Sequence, residues 1–400
     1  MPGLRQLFLA HVAQTSAFPL ALEIERAEGM YLYDTEGKAY LDLIAGIGVS
    51  SLGHRHPRVV EAIRRQTDAY LHTMVYGEFV LAPQVQLATL MSACLPAGLS
   101  SVYFVNSGAE ATEGAMKLAK RYTGRAEIIS ARYAYHGSTQ GAASLMWPTE
   151  FTQAFHPLLP GIRHIDFNCH YCLNQISTRT AAVIIETVQA EWGIRPPQAS
   201  WLQALSARCR EVGALLILDE IQCGYGRTGS LWAFERYGIA PDILLLAKGM
   251  GGGMPIGAFV ARPELMGALS HTPVLGHITT FGGHPVSCAA ALATLQTLLD
   301  TDLIAAVAAK EQRFLRQLRH PLIRHVRSAG LWLAVELDDF DTVQKVIQGC
   351  LQRGLLTDWF LFNNRSLRIA PPLIITEAQI DEACGILLEA LNDCELHQMA

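Results

Sequence analysis

The chain has 400 residues, of which half are apolar and 17% are charged, and its formal net charge is -5. This composition excludes an intrinsically disordered chain, and the mildly acidic balance lacks the basic footprint of a nucleic-acid-binding protein. No apolar run reaches membrane-spanning length and the first 20 residues lack a signal-peptide layout. We therefore expect a cytoplasmic protein that binds neither nucleic acid nor membrane, and the length predicts two domains of unequal size.

Nine cysteines are scattered along the chain, a pattern that predicts free and mostly buried thiols in a reducing compartment. Cys169 and Cys172 form a C-x-x-C pair. Such a pair could be half of a zinc site, a redox couple, or two thiols in a surface loop. Because no second C-x-x-C exists, the sequence favours surface-loop thiols and predicts no metal site.

The first strand signals surround a turn sequence, DTEGK (34–38), which separates two short predicted strands. Further along, the strand-like SVYFV (101–105) is followed at once by a helical pattern that begins at Asn106, Ser107 and Gly108. A helix start offers free backbone amides, a favourable dipole and here a serine hydroxyl, which together bind phosphate. Ser107 as an ordinary helix N-cap explains the same pattern equally well.

Tyr135 and His136 precede Gly137 in the next notable stretch, ARYAYHGSTQG. An aromatic ring in such a position could stack on a flat cofactor. A lone aromatic residue beside a glycine more often packs in a core, so this stretch by itself supports either interpretation.

Three apolar runs without polar alternation follow, at 181–186, 214–220 and 242–248. Such runs suit strands that are covered on both faces, as in a parallel sheet, and a helical pattern at 199–213 lies between the first two. This β-α-β order predicts a doubly wound α/β domain, in which ligands bind beyond the carboxyl ends of the strands. All three runs end in ionisable residues: Glu186, Asp219 with Glu220, and Lys248.

Asp219 and Lys248 are ionisable residues in apolar surroundings, where a charge is unfavourable unless a partner compensates it. Neighbouring residues on a strand point to opposite faces, so only one of Asp219 and Glu220 is expected to face a pocket. A buried aspartate needs a cationic partner, which a protonated pyridine nitrogen would supply. A desolvated lysine has a lowered pKa and is nucleophilic as the neutral amine. Together with a phosphate site, these groups indicate pyridoxal phosphate (PLP), whereas a salt-bridged lysine is the alternative for Lys248 alone.

The last hundred residues predict a smaller α+β domain. Helical patterns lie at 301–318 and 377–394, with a strand pattern in GLWLAVEL (330–337) between them. The predicted division of the chain is an N-terminal segment associated with the small domain (1–45), a large PLP-binding domain (46–290) and a C-terminal small domain (291–400).

Five stretches in order resemble the class III, or omega, aminotransferases of PLP fold type I, and within them the acetylornithine and ornithine branch. The resemblance covers nearly the whole chain and implies a mostly parallel, doubly wound large domain, a smaller α+β domain and an obligate homodimer. The stretches are NSGAEATEGAMKLAKRY (106–122), ETVQAEWG (186–193), LDEIQCGYGRTG (218–229), AKGMGGGMPIGA (247–258) and TTFGGHPVSCAA (279–290).

The family's cofactor-binding roles fall on residues of these and neighbouring stretches. Lys248 matches the lysine that forms the Schiff base, and Asp219 matches the aspartate that keeps the pyridine nitrogen protonated; these two are the expected catalytic residues. Thr280 matches the threonine that reaches the phosphate in the neighbouring subunit. The other residues expected to bind the cofactor are Ser107, Gly108 and Ala109 at the phosphate, Tyr135 and His136 beside the ring, Glu186 near the ring face and Gln222 at the phenolic oxygen.

Arg368, in LRIAPPL, matches the arginine that holds the α-carboxylate of a substrate, a role that suits a planar guanidinium. Glu191 matches the glutamate that pairs with this arginine when an ω-amine enters instead. A surface salt bridge is the alternative interpretation of this pair.

Two positions depart from the ornithine branch. Ser138 stands where that branch has an arginine, and Thr15 stands where it often has a tyrosine. Both missing groups would hold the distal carboxylate of an ornithine-like donor, so the ornithine assignment is weakened at substrate recognition. Arg132 or Arg163 would have to reach the site to replace the arginine.

The resemblance implies a transaminase that passes an amino group from an amino acid or ω-amine to a 2-oxo acid, 2-oxoglutarate or pyruvate, by a ping-pong mechanism. Lys248, once displaced from the cofactor, would act as the base. The alternatives are an aminomutase or lyase of the same fold group and an acetylornithine or ornithine aminotransferase proper. A non-catalytic PLP-binding regulator is a further alternative, against which the intact Lys248, Asp219 and Gln222 argue.

Overall fold

A computed structural model of the chain describes the backbone of residues 3–399 and the side chains of residues 3–395. Within this part of the chain, no helix is both long enough and apolar enough to cross a bilayer. The α-helices are α1 (Leu4–His11), α2 (Ala45–Gly48), α3 (Pro57–Ala69), α4 (Ala82–Ala93), α5 (Gly108–Thr123), α6 (Gln140–Ala143), α7 (Ala199–Val212), α8 (Pro263–Met266), α9 (Pro285–Leu299), α10 (Val307–Gln317), α11 (Phe340–Gln352) and α12 (Glu377–Met399).

The strands are β1 (Ile24–Glu28), β2 (Tyr31–Asp34), β3 (Ala39–Asp42), β4 (Ser101–Val105), β5 (Glu127–Ala131), β6 (Ile162–Ile165), β7 (Thr180–Glu186), β8 (Leu215–Asp219), β9 (Ile243–Ala247), β10 (Gly257–Ala261), β11 (His325–Ser328), β12 (Leu333–Glu336), β13 (Leu355–Leu356), β14 (Asp358–Phe360) and β15 (Asn363–Ile369). Short 3-10 helices lie at Thr149–Phe151, Gln153–Phe155, Tyr171–Gln175, Ala233–Tyr237, Lys248–Gly251 and Gly267–Leu269.

Seven strands form the large sheet, in the order β4-β10-β9-β8-β7-β5-β6. β10 runs antiparallel to both of its neighbours, β4 and β9, whereas the other neighbouring pairs are parallel. The predicted mostly parallel, doubly wound α/β sheet is therefore confirmed.

The three apolar runs of the sequence form β7, β8 and β9, which lie side by side and are buried at every position. Their side chains alternate between two apolar layers. Leu216 joins the cluster that contains Trp201 of α7, whereas Ile217 joins the cluster that contains Ala115 of α5. Because both faces of the sheet are covered, these strands carry no polar alternation.

Lys248 lies one residue beyond the strand that the sequence assigned to it. β9 ends at Ala247, and Lys248 opens a 3-10 turn with a φ of 47°. A positive φ is uncommon for a residue with a side chain. The backbone thus leaves the sheet at the lysine, which lies on the wall of a cavity at the carboxyl end of the sheet.

Two four-stranded sheets combine the two ends of the chain. In the first, β1-β2-β3-β13, the N-terminal β3 pairs in parallel with β13, with Leu41 opposite Leu355. The second, β11-β12-β15-β14, is antiparallel and carries Arg368 on β15. The pairing of β3 with β13 brings the N-terminal strands to the C-terminal part, while the boundaries proposed after residues 45 and 290 stay predictions.

The helix predicted at 301–318 is shorter than its pattern suggested. It begins only at Val307, because the preceding residues form turns that follow directly on the end of α9 at Leu299. The hydrogen bonds in these turns are irregular: Ala306 N–H bonds four residues back to Asp302, and Val307 N–H three residues back to Ile304.

The interpretation of Cys169 and Cys172 as free surface-loop thiols is wrong. Their sulfur atoms form a disulfide across the start of the 3-10 helix Tyr171–Gln175, where the two Cα atoms are 5.4 Å apart. This separation lies within the range that a disulfide spans. Cys172 is buried, and of the seven free cysteines six are buried, as predicted, while Cys94 is half-buried.

Candidate active site

The carboxyl ends of β7, β8 and β9 and the start of α5 enclose a cavity of about 470 Å³. This is the place where a doubly wound sheet is expected to bind its ligand. Ten of the predicted site residues line it: Ser107, Gly108, Ala109, Tyr135, His136, Ser138, Glu186, Asp219, Gln222 and Lys248. Sequence reasoning missed the apolar part of the lining, which no pattern separates from core residues: Val49, Val188, Ile221, Met254 and Ile256.

Lys248 contributes the amine of this cavity. Burial lowers its pKa, while the carboxylates of Glu191, Asp219 and Glu186 oppose the shift and Arg368 adds to it. Among the described side chains Lys248 takes part in no ion pair within 4.0 Å, which argues against a structural salt bridge. A lysine with a lowered pKa is neutral, and therefore nucleophilic, at a lower pH than a free lysine.

Asp219 ends β8 and is held on the cavity wall by two hydrogen bonds. Its Oδ2 lies 2.7 Å from Nδ1 of His136, and its Oδ1 accepts a bond of 2.9 Å from the Ile221 amide. Both Asp219 and His136 are buried. The neighbouring Glu220 lies on the other side of the strand, where it accepts hydrogen bonds from Thr187 and from the start of the 3-10 helix Ala233–Tyr237. The prediction that only one of the two carboxylates faces the pocket is confirmed.

Glu186 ends β7 beside Asp219. Its carboxyl oxygens accept hydrogen bonds from the amides of Ala190, at 3.1 Å, and Tyr135, at 3.3 Å. Burial raises the pKa of Glu186 well above its ordinary value, and the negative charge of Asp219 adds to the rise. The cavity therefore disfavours a second negative charge next to Asp219.

The start of α5 supplies the anion-binding end of the cavity. Ser107 is the N-cap, and its hydroxyl accepts a bond of 3.2 Å from the Glu110 amide, so the N-cap interpretation is confirmed. The amides of the following residues, Gly108 and Ala109, have no acceptor within the helix and lie on the cavity wall. A Cβ at Gly108 would lie 2.7 Å from Cδ1 of Ile221, so a larger residue there would displace that side chain.

Glu191 and Arg368 form a buried pair behind Gln222. Nη1 and Nη2 of Arg368 donate to the two oxygens of Glu191 at 3.0 and 2.9 Å, a bidentate arrangement. Burial opposes the ionisation of Glu191, but the Arg368 guanidinium and the Leu361 amide outweigh it and lower its pKa. Gln222, which lines the cavity, donates to Glu191 at 3.3 Å. The surface-salt-bridge interpretation is wrong, because both members of the pair are buried.

Asp358 is a charged neighbour of this pair that sequence reasoning missed. Its Oδ1 lies 3.0 Å from Nε of Arg368. The residue stands on β14 directly opposite Arg368 on β15, a register that cannot be read before the strand pairing is known. The sequence feature that could have pointed to Asp358 is that it is the single charged residue in the mostly apolar run LLTDWFLF.

Ser138 lies at the exposed mouth of the cavity, where its hydroxyl is 3.0 Å from the hydroxyl of Tyr135. Arg132 and Arg163, the two residues considered as substitutes for an arginine at position 138, do not line the cavity. Arg132 pairs with Asp166 at 3.1 Å, and Arg163 pairs with Glu127 at 3.3 Å. Both arginines are thus paired elsewhere, and no arginine is among the described residues that line the cavity.

Four predicted site residues are not on the cavity lining. Glu191 and Arg368 lie behind Gln222, whereas Thr280 and Thr15 have no such link to the cavity in the single chain. Thr280 is exposed, next to Thr279, whose hydroxyl accepts a bond of 3.1 Å from Asn106 on the cavity wall. Thr15 is exposed in the segment between α1 and β1.

Comparisons with known proteins agree with this site. A family model for class III aminotransferases matches residues 12–391. An acetylornithine aminotransferase of Methanocaldococcus jannaschii is 39% identical over 388 residues, 94% of either chain. A putrescine aminotransferase of Pectobacterium atrosepticum is 39% identical over 380 residues, 90% of this chain and 80% of the relative. The ornithine aminotransferase structure of Toxoplasma gondii, with partial occupancy of PLP at its active site, is 30% identical with a TM-score of 0.91, covering 99% of this chain and 96% of its own.

The fold and the site thus define a PLP-dependent transferase of fold type I. The chain belongs to the class III aminotransferases. It is a PLP-dependent aminotransferase, whose substrates are small-molecule amines or amino acids and 2-oxo acids.

The residues on the cavity wall fit PLP. The α5 amides would hold its phosphate, Asp219 its pyridine nitrogen, Gln222 its phenolic oxygen and Lys248 its aldehyde carbon. When bound, PLP supplies a pyridinium ring that stabilises negative charge on the carbon carrying the amino group. Side chains of the protein would then control the proton at that carbon, the position of the substrate and the exclusion of water.

Proposed function

We propose that this aminotransferase uses donors that carry no carboxylate at the Ser138 end of the cavity, such as diamines and other simple ω-amines. We further propose that its preferred acceptors carry a single carboxylate, as pyruvate does. The observation behind both proposals is that Ser138 stands at the mouth of the cavity, where neither Arg132 nor Arg163 lines the wall. A second substrate carboxylate would find a serine hydroxyl at this end of the cavity, not a guanidinium.

The difference between a hydroxyl and a guanidinium is large enough to decide specificity. A hydrogen bond to a charged group contributes about 1.5–3 kcal/mol, and a bidentate arginine–carboxylate pair is among the stronger cases. This range corresponds to a factor of about 10 to 150 in binding. A substrate carboxylate placed beside Ser138 would also lose part of its hydration without a charged partner.

The pairing of Arg368 with Glu191 supports an amine as donor. While Glu191 occupies both terminal nitrogens of Arg368, the pair presents no free positive charge to a substrate. An uncharged substrate chain can then lie against it. When a 2-oxo acid enters, Glu191 is proposed to turn away, so that the same two nitrogens bind the substrate carboxylate in the same bidentate manner.

Lys248 and Asp219 are proposed to carry the chemical step. Lys248 would hold the cofactor and, once the substrate amine has replaced it, take up and return the proton at the substrate carbon. Its burial and lowered pKa support this role. Asp219, held by His136, would pair with the pyridine nitrogen, while Tyr135 would stack on the ring and Glu186 would lie near it.

The name of one relative fits a donor without a carboxylate. The relative from Pectobacterium atrosepticum is a putrescine aminotransferase, and putrescine is a diamine. A second candidate is transfer from acetylornithine, which the name of the Methanocaldococcus jannaschii relative favours. Ser138 argues against this candidate, because the acetylornithine carboxylate would need a cation at the mouth of the cavity.

A donor screen by half-reaction tests the proposal. Holoenzyme is mixed with one donor and no acceptor, and conversion of the cofactor to its aminated form is followed by absorbance for putrescine, 4-aminobutyrate, ornithine and N-acetylornithine. We expect kcat/KM for putrescine to exceed that for N-acetylornithine at least about tenfold, the lower end of the range for one lost charged contact. A preference for N-acetylornithine would establish the second candidate instead.

A homodimer that shares its active sites between subunits is also part of the proposal. Exposed apolar side chains surround Thr280 in the sequence: Val274, Leu275, Ile278 and Phe281. Clusters of this kind mark protein–protein contacts. Together with the family resemblance they support a subunit contact through which Thr280 would reach the phosphate in the neighbouring subunit. A cytoplasmic location stays a prediction from the sequence.

A further inference from the structure

Glu113 is a carboxylate on α5, the helix with the anion-binding end, and it holds the segment at the mouth of the cavity. Its Oε1 accepts hydrogen bonds from the Thr139 hydroxyl at 2.6 Å and from the amides of Gly141 and Ala142 at 2.9 and 3.1 Å. Thr139 is the N-cap of α6 and turns its hydroxyl to Glu113 instead of the helix amides. Glu113 therefore supplies, from another helix, the acceptor that the first amides of α6 need.

The residues on the two sides of Ser138 are held in different ways. Before it, the His136 carbonyl accepts a bond of 3.0 Å from the hydroxyl of Thr112, the neighbour of Glu113 on α5. After it, among the described residues, 139–142 form hydrogen bonds only with Glu113 and with residues that directly follow them in the chain. Loss of the Glu113 contact should therefore free the segment after Ser138 and leave the cofactor side of the site in place.

Ser138 and Tyr135 place two hydroxyls, 3.0 Å apart, at the mouth of the cavity. Ser138 is exposed, and among the described residues its hydroxyl has Tyr135 as its one hydrogen-bond partner. Hydroxyl oxygens can accept hydrogen bonds from an ammonium. When one amino group of a diamine reacts at Lys248, its far amino group can reach the mouth of the same cavity. The position of the Ser138 hydroxyl then decides whether that far group is bound.

We propose that Glu113 is a specificity-determining positioning residue, which holds Ser138 where its hydroxyl binds the far amino group of a diamine donor. Glu113 acts through the segment that it holds and does not have to touch the substrate. The inference rests on the proposed function, in which donors without a carboxylate extend to Ser138. It goes further by naming the group that this end of the cavity recognises and the residue that fixes the recognising hydroxyl.

Gly141 offers an independent way to break the same contact. A Cβ there would lie 2.7 Å from Cδ of the Glu113 carboxyl group, so an alanine would push the carboxylate away from α6. Gly141 lies within α6, and alanine forms helices more readily than glycine does. G141A therefore removes the contact with Glu113 without weakening the helix itself.

The test compares putrescine with butylamine, which has the same carbon chain but lacks the far amino group. Each donor is mixed with holoenzyme in the absence of an acceptor, and kcat/KM of the donor half-reaction is followed by cofactor absorbance. We expect the wild type to prefer putrescine about tenfold or more, the factor that one hydrogen bond to a charged group contributes. E113A and G141A should lose this preference, because putrescine slows while butylamine reacts as it does with the wild type.

Two further variants make the comparison specific. E113Q should keep the preference for putrescine, because the amide oxygen can accept the same hydrogen bonds as the carboxylate oxygen. E211A removes a glutamate from an exposed pair with Arg208 and is the control, which should also keep the preference. Loss of the preference in E113Q would mean that Glu113 acts through its charge and would contradict the positioning role.

The outcomes separate this inference from the proposed function. If the wild type converts putrescine and butylamine equally well, or if E113A and G141A keep the preference, the role of Glu113 is overturned. Equal losses with both donors would show that Glu113 supports the site as a whole, and would overturn it too. The proposed function fails on a different ratio, a wild-type preference for N-acetylornithine over putrescine. Should E113A not fold by circular dichroism, G141A is held to the same outcomes.

Discussion

Nδ1 of His136 lies 2.7 Å from Oδ2 of Asp219, and both residues are buried at the end of the cavity where the pyridine nitrogen is expected. The contact fixes the aspartate from behind, while the Ile221 amide holds its other oxygen. Nε2 of His136 has no partner among the described residues, so the imidazole contributes to the site through this one hydrogen bond. The Asp219 carboxyl group is therefore held in one position on the cavity wall, where a pyridinium could pair with it.

D219N should slow the donor half-reaction by about 100- to 1,000-fold, because the loss of a preorganised charge at a reacting group has costs of this order. The rate is measured with putrescine at saturating PLP. H136A should cost less, about 10- to 100-fold, since Asp219 loses one charge-assisted hydrogen bond but keeps its charge. D166N, at an exposed carboxylate paired with Arg132, serves as the control. Equal rates for D219N and D166N would contradict the role of Asp219.

The lowered pKa of Lys248 predicts a pH dependence for cofactor attachment. Burial disfavours the ammonium, so the folded pKa lies below 10.5 and the neutral, reactive amine predominates from a lower pH than in a free lysine. The rate at which apoprotein attaches saturating PLP should rise with pH and level off below pH 10.5. Nα-acetyl-lysine is the reference compound. A plateau at the same pH for both amines would show that the site does not perturb Lys248.

K248A should attach no cofactor covalently. The protein is treated with borohydride, denatured and weighed by mass spectrometry, a measurement that does not depend on activity. K345A, at an exposed lysine on α11, should keep the added mass of the wild type. Attachment in K248A at the wild-type level would place the reactive lysine elsewhere.

The Glu191–Arg368 pair predicts a coupled effect on stability. R368Q leaves two carboxylates without their cation, and loss of one member of a buried pair costs about 3–5 kcal/mol. The double variant R368Q/E191Q removes the stranded charge of Glu191 and should recover a large part of that loss. Denaturant unfolding of the wild type, both single variants and the double variant measures the coupling. If the losses of unfolding free energy in the two single variants add up to the loss in the double variant, the two residues do not stabilise each other.

S138R should restore recognition of a second carboxylate. An arginine at the mouth of the cavity would add the bidentate contact that Ser138 lacks, and kcat/KM for N-acetylornithine should rise about tenfold or more relative to putrescine. The control is S100R, at an exposed serine that precedes β4 on the opposite edge of the sheet. The same change in both variants would indicate a general effect of added positive charge.

Much of the fold and of the cofactor end of the site was predictable from the sequence, for a physical reason. Strands buried on both faces must be apolar throughout, so an ionisable residue at the end of such a strand stands out, as Glu186, Asp219 and Lys248 did. The parallel arrangement then brings the three strand ends to one edge of the sheet.

The substrate end was less predictable, because it depends on contacts between distant segments. The position of Asp358 opposite Arg368 follows from the β14–β15 register, and the Glu191 carboxylate is held by the Leu361 amide, 170 residues further along the chain. The disulfide of Cys169 with Cys172 depends on the local turn, which the residue types alone did not define.

The most direct test of the account compares two acceptors that differ by one carboxylate. Enzyme carrying the aminated cofactor is mixed with pyruvate or with 2-oxoglutarate, and the return of the cofactor absorbance is followed in a single turnover. Both acids offer Arg368 the same carboxylate, so the ratio of their kcat/KM values reports the second one alone. With Ser138 at the mouth of the cavity and neither Arg132 nor Arg163 on its lining, we predict that pyruvate is preferred by about tenfold or more. A preference for 2-oxoglutarate would contradict the account.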